Sequence, residues 1–171
     1  MAGKLVQVAG NIVTSAVASV SLTGIDDDSV YVVIAGNIKG ASDDKDLYMR
    51  VTVSGTAQTT SNYDEATKNM RTDTTFSNSA LTNIDKWQPF SALGNSTGKN
   101  GNLICYLYNF NNSSEYSFCT REDAYSADTI DLFGMQGGGV YTVAEAHNGI
   151  EFSLESSTNF TSGTFGLYKV V

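Results

Sequence analysis

Leu47-Tyr48-Met49-Arg50-Val51-Thr52-Val53 alternates apolar and polar side chains at every step. Successive side chains of a strand point to opposite faces, so Leu47, Met49, Val51 and Val53 share one face and Tyr48, Arg50 and Thr52 the other. This is the pattern of a half-buried antiparallel strand. The polar run Asp43-Asp44-Lys45-Asp46 precedes it as a turn, and Ser54-Gly55-Thr56 ends it.

Further segments carry strand signals. Val20 and Leu22 alternate with Ser19, Ser21 and Thr23, and Gly24 to Ser29 follows as a turn. Val30 to Ile34 is a β-branched run that reads as a strand buried on both faces. Leu103 to Asn109 and Glu115 to Arg121 read as a hairpin. A turn centred near Asn112 pairs Tyr108 with Tyr116 and Tyr106 with Phe118, placing the aromatics on one face. The same register sets Cys105 opposite Cys119, where a disulfide is geometrically possible. Buried free thiols are the expected state, because the chain shows no signal peptide and a reducing compartment keeps thiols free. Thr129 to Phe133, Val140 to Val143 and Ile150 to Leu154 are further strands, with Ile150, Phe152 and Leu154 facing inward. Asn148-Gly149 is a hairpin-turn signal, and Gly137-Gly138-Gly139 reads as a flexible loop. The last segment, Asn159 to Val171, reads as a turn at Gly163 followed by a strand through Phe165, Leu167 and Tyr168 that ties the terminus into a sheet.

Ala57 to Asn102 is the least regular region. Ser61 to Arg71 is expected to hold one or two helical turns, capped by Asn62 or Asp64. Trp87 and Phe90 frame the only Pro of the chain. The expected fold is all-β: an antiparallel β-sandwich, jelly-roll-like, with about eight strands and little helix. Residues 1–18 form an N-terminal arm or edge strand. Residues 19–171 form a single domain with a long irregular insertion at about 57–102.

Composition narrows the function. The chain has 171 residues, of which only 16% are charged, with a formal net charge of −8. Its 10 basic residues are scattered, which argues against nucleic-acid binding. No apolar run is long enough to span a membrane. Residues 1–20 faintly imitate a signal peptide, but Gln7, Asn11, Thr14 and Ser15 interrupt its centre. His147 is the only histidine and lies beside the Asn148-Gly149 signal, so it is expected as an exposed turn residue. No Gly-x-Ser-x-Gly elbow accompanies it, and one histidine with two unclustered cysteines makes no zinc set. Asp26-Asp27-Asp28 and Asp43-Asp44-Asp46 offer oxygen ligands, yet neither fits a calcium loop; solvated turn acids are expected. Gly137-Gly138-Gly139 lacks the Lys-Ser/Thr of a phosphate loop. The expectation is a protein with no catalytic residues, no cofactor and no metal.

The order of elements adds a resemblance. A Tyr-x-x-x-x-Gly strand spans Tyr31 to Gly36, followed by Leu47-Tyr48-Met49-Arg50-Val51 and by Thr60-Ser61-Asn62-Tyr63. The chain closes on Ser162-Gly163-Thr164-Phe165-Gly166-Leu167-Tyr168. This arrangement resembles small virion structural proteins of tailed bacteriophages, especially those of cyanophages and other aquatic phages. There a jelly-roll domain ends on Ser-Gly-Thr-x-x-Leu-Tyr-Gly; here Lys169 replaces the closing glycine. The resemblance implies a capsid decoration (cement) protein on the outer surface of the virion, made in the host cytoplasm. Its partners would be the major capsid protein and copies of itself, as a trimer or another homo-oligomer. The expected partner contacts are Leu5, Val6, Val8 and Ile12 on the N-terminal arm, with Trp87 and Phe90 as aromatic anchors. The alternative is a receptor- or carbohydrate-binding module of a tail tip or fibre, using Tyr63, Trp87 and Tyr125 to stack on sugars.

Overall fold

The computed structural model describes residues 3–171. Thirteen strands run through them: β1 (Leu5–Val13), β2 (Ser19–Thr23), β3 (Tyr31–Gly40), β4 (Lys45–Val53), β5 (Thr56–Ala57), β6 (Tyr63–Arg71), β7 (Ser77–Ile84), β8 (Trp87–Leu93), β9 (Gly101–Tyr108), β10 (Ser117–Tyr125), β11 (Phe133–Tyr141), β12 (Gly149–Leu154) and β13 (Phe160–Val170). Among the described residues the only helical piece is a 3-10 turn at Glu155–Ser157. Sheet A has the order β1-β13-β3-β9-β10-β11-β6-β7; sheet B has the order β2-β12-β4-β5, with β8 also paired to β4. All pairings are antiparallel.

β1-β13-β3-β9 facing β2-β12-β4-β8 is the strand order of an eight-strand jelly roll. The expected count of about eight strands describes this frame. Five more strands come from two insertions, β5–β7 before β8 and β10–β11 after β9. Four of them, β10, β11, β6 and β7, widen sheet A well beyond sheet B.

The alternation of β4 holds as far as Val51: Leu47, Met49 and Val51 are wholly buried, but so is Thr52 of the polar face, and Val53 is half-buried. Val20 and Leu22 of β2 and Ile150, Phe152 and Leu154 of β12 also enter the core. They meet Tyr31, Val33, Leu103, Leu107, Phe165 and Leu167 from sheet A in one continuous cluster. In β3, Val32 is buried on the opposite face, but Ile34 is 40% exposed, so that run is not covered on both sides throughout.

Several expectations are corrected. The region 57–102 is largely sheet, and Ser61 to Arg71 holds strand β6 in place of helical turns. Gly137, Gly138 and Gly139 lie within β11, paired on both sides, and form no loop. A Cβ on Gly139 would come within 2.3 Å of Trp87 Nε1 and 2.6 Å of its Cδ1, so glycine there makes room for the indole. Ile130 lies before β11, outside any strand, although it is buried. Gly163 (φ 155°) sits in the irregular part of β13 and does not separate a turn from a strand. β13 is an interior strand between β1 and β3. Asn148-Gly149 joins sheet A to sheet B and closes no hairpin, since β12 pairs with β2 and β4. The β9–β10 hairpin exists, but its turn is longer than expected. Tyr108 pairs with Phe118, Tyr106 with Thr120, Cys105 with Arg121 and Cys119 with Leu107. A shift by an even step keeps every side chain on its expected face.

Candidate functional site

The wide sheet has an outer face that sheet B cannot cover. The pairings place Val32, Tyr106, Thr120, Gly138, Ala66 and Ala80 in one row across it. From Thr120 onward these are small residues, so the row is low. On one side stand Phe118 and Val140; on the other stand Glu122, Gln136 and Lys68. The result is a shallow trough crossing the strands, apolar along Ala66, Ala80, Leu81, Phe118, Gly138 and Val140. Beyond it the face continues over Ile34, Ile104 and Tyr106, which are 40–46% exposed, as is Phe118 at 43%. Gln136 donates to Glu122 Oε1 at 2.7 Å, and the Tyr108 and Thr120 hydroxyls are 3.2 Å apart. The charged groups Asp64, Glu122 and Lys68 border this band. Grouped exposed aliphatic and aromatic side chains of this kind mark contact surfaces more often than isolated ones do.

The expected contact residues divide sharply. Leu5, Val6 and Ile12 stand exposed on β1, and Val8 is half-buried. β1 and β7 are the two edges of sheet A, and both carry many exposed side chains. Trp87 and Phe90 are wholly buried and anchor nothing outside the protein. β8 presses them against the inner face of the sheet A extension. Trp87 meets Tyr63 edge-on at 5.2 Å and donates Nε1–H to Asp64 O; Phe90 stacks on Tyr125 at 4.7 Å. Tyr63 and Tyr125 are at most 3% exposed, which corrects their assignment as sugar platforms. Their hydroxyls are spent inside: Tyr63 donates to Gln58 O at 2.7 Å, and Tyr125 accepts from Ser91 N–H at 3.0 Å. A buried aromatic with a polar tip needs such a partner.

Under the trough lies a buried charge cluster that the sequence did not disclose. Arg121 donates to Glu65 Oε2 at 2.9 Å and to Gln88 O at 2.8 Å. Asp123 accepts from Met135 N–H at 2.7 Å through Oδ1, while its Oδ2 stands 3.8 Å from Arg121 Nε, too far for a hydrogen bond. Burial pushes the Asp123 carboxyl up to about 8, despite the nearby guanidinium. Cys105 and Cys119 lie diagonally across the hairpin on the same inner face, both free and buried. The neighbouring Cys119 thiol, reinforced by burial, holds the Cys105 thiol well above its usual range. A diagonal pair sits farther apart than a directly opposed one, so the observed register is less suited to a disulfide than the expected one.

His147 is also corrected: it is wholly buried. Its Nδ1 lies 2.8 Å from Ser117 Oγ, its Nε2 lies 3.4 Å from Glu145 Oε1, and its ring meets Tyr141 and Phe110 edge-on. Burial lowers its pKa, favouring the neutral ring. Ser117 is wholly buried as well. These residues form an internal strut with no approach for a substrate carbonyl. The aspartate turns are tied into the fold. Asp27 pairs with Lys169 and accepts from the Tyr31 hydroxyl, and the Lys169 hydrogen bond holds its carboxyl below the usual range. Asp46 accepts from Ala92 N–H. Among the described residues no group of three or more His, Cys, Asp or Glu side chains is placed to share a metal ion.

The outer-face residues were readable in part. Apolar side chains on both faces of Leu103 to Leu107 are the signal that two surfaces there need apolar contact. Compared with known proteins, the chain matches no protein-family model and no curated protein sequence.

Proposed function

We propose that this chain is a non-enzymatic structural protein of a tailed-phage particle, a decoration protein that bridges neighbouring major capsid subunits on the outside of the shell. The carrying observation is the band of Ile34, Ile104, Tyr106 and Phe118 on the outer face of sheet A. The resemblance of the strand order and closing motif to phage virion proteins supplies the setting. In this reading the outer face seats on the capsid, and β1 meets copies of the chain. A stable contact needs about 1,200–2,000 Å² of total buried surface, and a rigid sheet face presents its share at little cost in ordering. Many copies spanning joints add avidity that single contacts lack. Binding only the expanded shell stabilises that state by linkage. Co-sedimentation with shells stripped of accessory proteins tests the reading. The chain should pellet with expanded shells and raise their melting temperature; failure to pellet at micromolar concentration rules it out.

The trough favours one second reading, a carbohydrate-binding face built on residues other than those first expected. Tyr106 and Phe118 would stack on sugar rings, with Glu122, Gln136 and Lys68 bonding hydroxyls. A glycan array separates the two: specific binding there, with no shell binding, selects the second.

A further inference from the structure

The free side of β1 has a definite pattern. Lys4 and Val171 exchange both of their backbone hydrogen bonds, at 2.8 and 3.0 Å. Bonded and non-bonded pairs alternate along an antiparallel ladder. Counting along β13 from Val171, the residues Lys169, Leu167, Phe165 and Gly163 bond to β1. Val170 between them donates to Val30 O on the opposite side, as this alternation requires. The β1 residues facing Val170, Tyr168, Gly166 and Thr164 therefore turn their own N–H and C=O groups away from the sheet. They are Leu5, Gln7, Gly10 and Ile12. The irregularity at Val8 shifts the parity halfway along. As a result these four positions are symmetric about the Val8–Ala9 peptide.

We propose that β1 pairs with β1 of a second copy across a two-fold axis through that peptide, joining two sheets A edge to edge. Leu5 then faces Ile12 of the second copy, and Gln7 faces Gly10, each twice. All four outward-facing residues find bonded partners in this single register, which gives about eight inter-chain hydrogen bonds. A standard interface carries roughly ten. Nine residues at about 3.3 Å each make an edge roughly 30 Å long. Leu5 (50% exposed) and Ile12 (70% exposed) lie on the same outer face and cover one another. Charge favours the same place. β1 carries no charged residue, whereas the chain has a net charge of −8, so two acidic copies meet here without opposing like charges. Nor does the strand contain the proline or inward charge that commonly protects an edge. The inference rests on the self-association within the proposed function and gives it an axis, a two-fold, which selects a dimer among the expected homo-oligomers.

The test is sedimentation velocity on the full chain from about 1 to 100 μM, with three variants. The wild type should run as a dimer. Leu5→Lys with Ile12→Lys puts like charges opposite one another twice and should raise the dissociation constant at least about tenfold. Leu5→Lys with Ile12→Glu puts opposite charges there and should restore dimerisation to within about threefold of wild type. Gln7→Pro removes an N–H that points away from β13 and should also loosen the dimer. Circular dichroism confirms that each variant folds. A monomeric wild type, an oligomer of another order, or the same behaviour from both charge variants overturns the pairing. So does a monomer that instead pairs β1 with an extended capsid-protein segment. A monomer that still pellets with shells refutes the pairing alone; a dimer that ignores shells refutes the proposed function alone.

Discussion

Asp123→Asn should stabilise the protein at neutral pH, and by an amount that grows with pH. Asp123 is 7% exposed, and Arg121 beside it already carries the carboxylate of Glu65 at 2.9 Å. A second negative charge in that pocket would lack hydrogen bonds at Oδ2. Burial accordingly raises the carboxyl from 3.8 to about 8. The unfolded chain releases this proton near pH 4, while the fold retains it. The sign follows from linkage: the stabilisation is complete below pH 3.8 and is lost as pH rises toward 8, at about 1.4 kcal/mol per unit. At pH 7 the span is about three units, a loss of roughly 4 kcal/mol relative to pH 4. Asparagine keeps an oxygen for Met135 N–H and has no proton to lose. The variant should match or fall slightly below wild type at pH 4 and exceed it by about 3–4 kcal/mol at pH 7, with a wider gap at pH 8. Urea unfolding followed by fluorescence of the single tryptophan, at four pH values, measures the difference. A gap that does not change with pH, or an asparagine variant relatively weaker at pH 8 than at pH 4, refutes the reasoning.

Gly139→Ala drives a methyl group into the Trp87 indole and should cost about 1–3 kcal/mol, read from the same urea titration. His147 has a pKa lowered by burial, so its contribution is present above about pH 6.5 and is lost as pH falls. The midpoint of a His147→Gln variant should accordingly fall less than that of wild type between pH 7.5 and 5. Ile104→Asp and Phe118→Asp place charges on the exposed band. Each should change folding stability by less than about 1 kcal/mol while reducing shell binding at least about tenfold in a pelleting assay.

Where burial alone decides side-chain pattern, the sequence was readable. β4 and β12 carry one apolar face each, and β2 does so in five residues, so period two appears directly. β6 and β7 escaped because they widen a sheet whose edge is uncovered. Ser77 to Ile84 has no fully buried position, and β6 turns two polar residues inward, Glu65 to pair with Arg121 and Thr67 to donate to Asn69. The polar residues that suggested helix caps at Asn62 and Asp64 instead serve the sheet; Asp64 accepts from Asn83 N–H. Gly137 to Gly139 read as a loop because their crowding comes from residues distant in sequence: Ala66 and Thr67 at Gly137, Cys119 at Gly138 and the Trp87 indole at Gly139. The same distance hid the burial of Trp87, Phe90, Tyr63 and Tyr125, since aromatic composition cannot tell an anchor from a core plug. His147 sits beside a turn signal but is drawn inward by Ser117 and Phe110, contacts that no local pattern encodes. Leu5, Val6 and Ile12 remain surface residues because the strand that carries them ends the sheet.

Image reconstruction of expanded shells, with and without the purified chain, is the most direct trial of the central claim that the protein works by seating a rigid sheet face on other proteins. The account predicts added two-layered density over joints between capsid subunits, with Ile34, Ile104 and Phe118 turned toward the shell. Shells that gain no density, or density with that face turned to solvent, would contradict it.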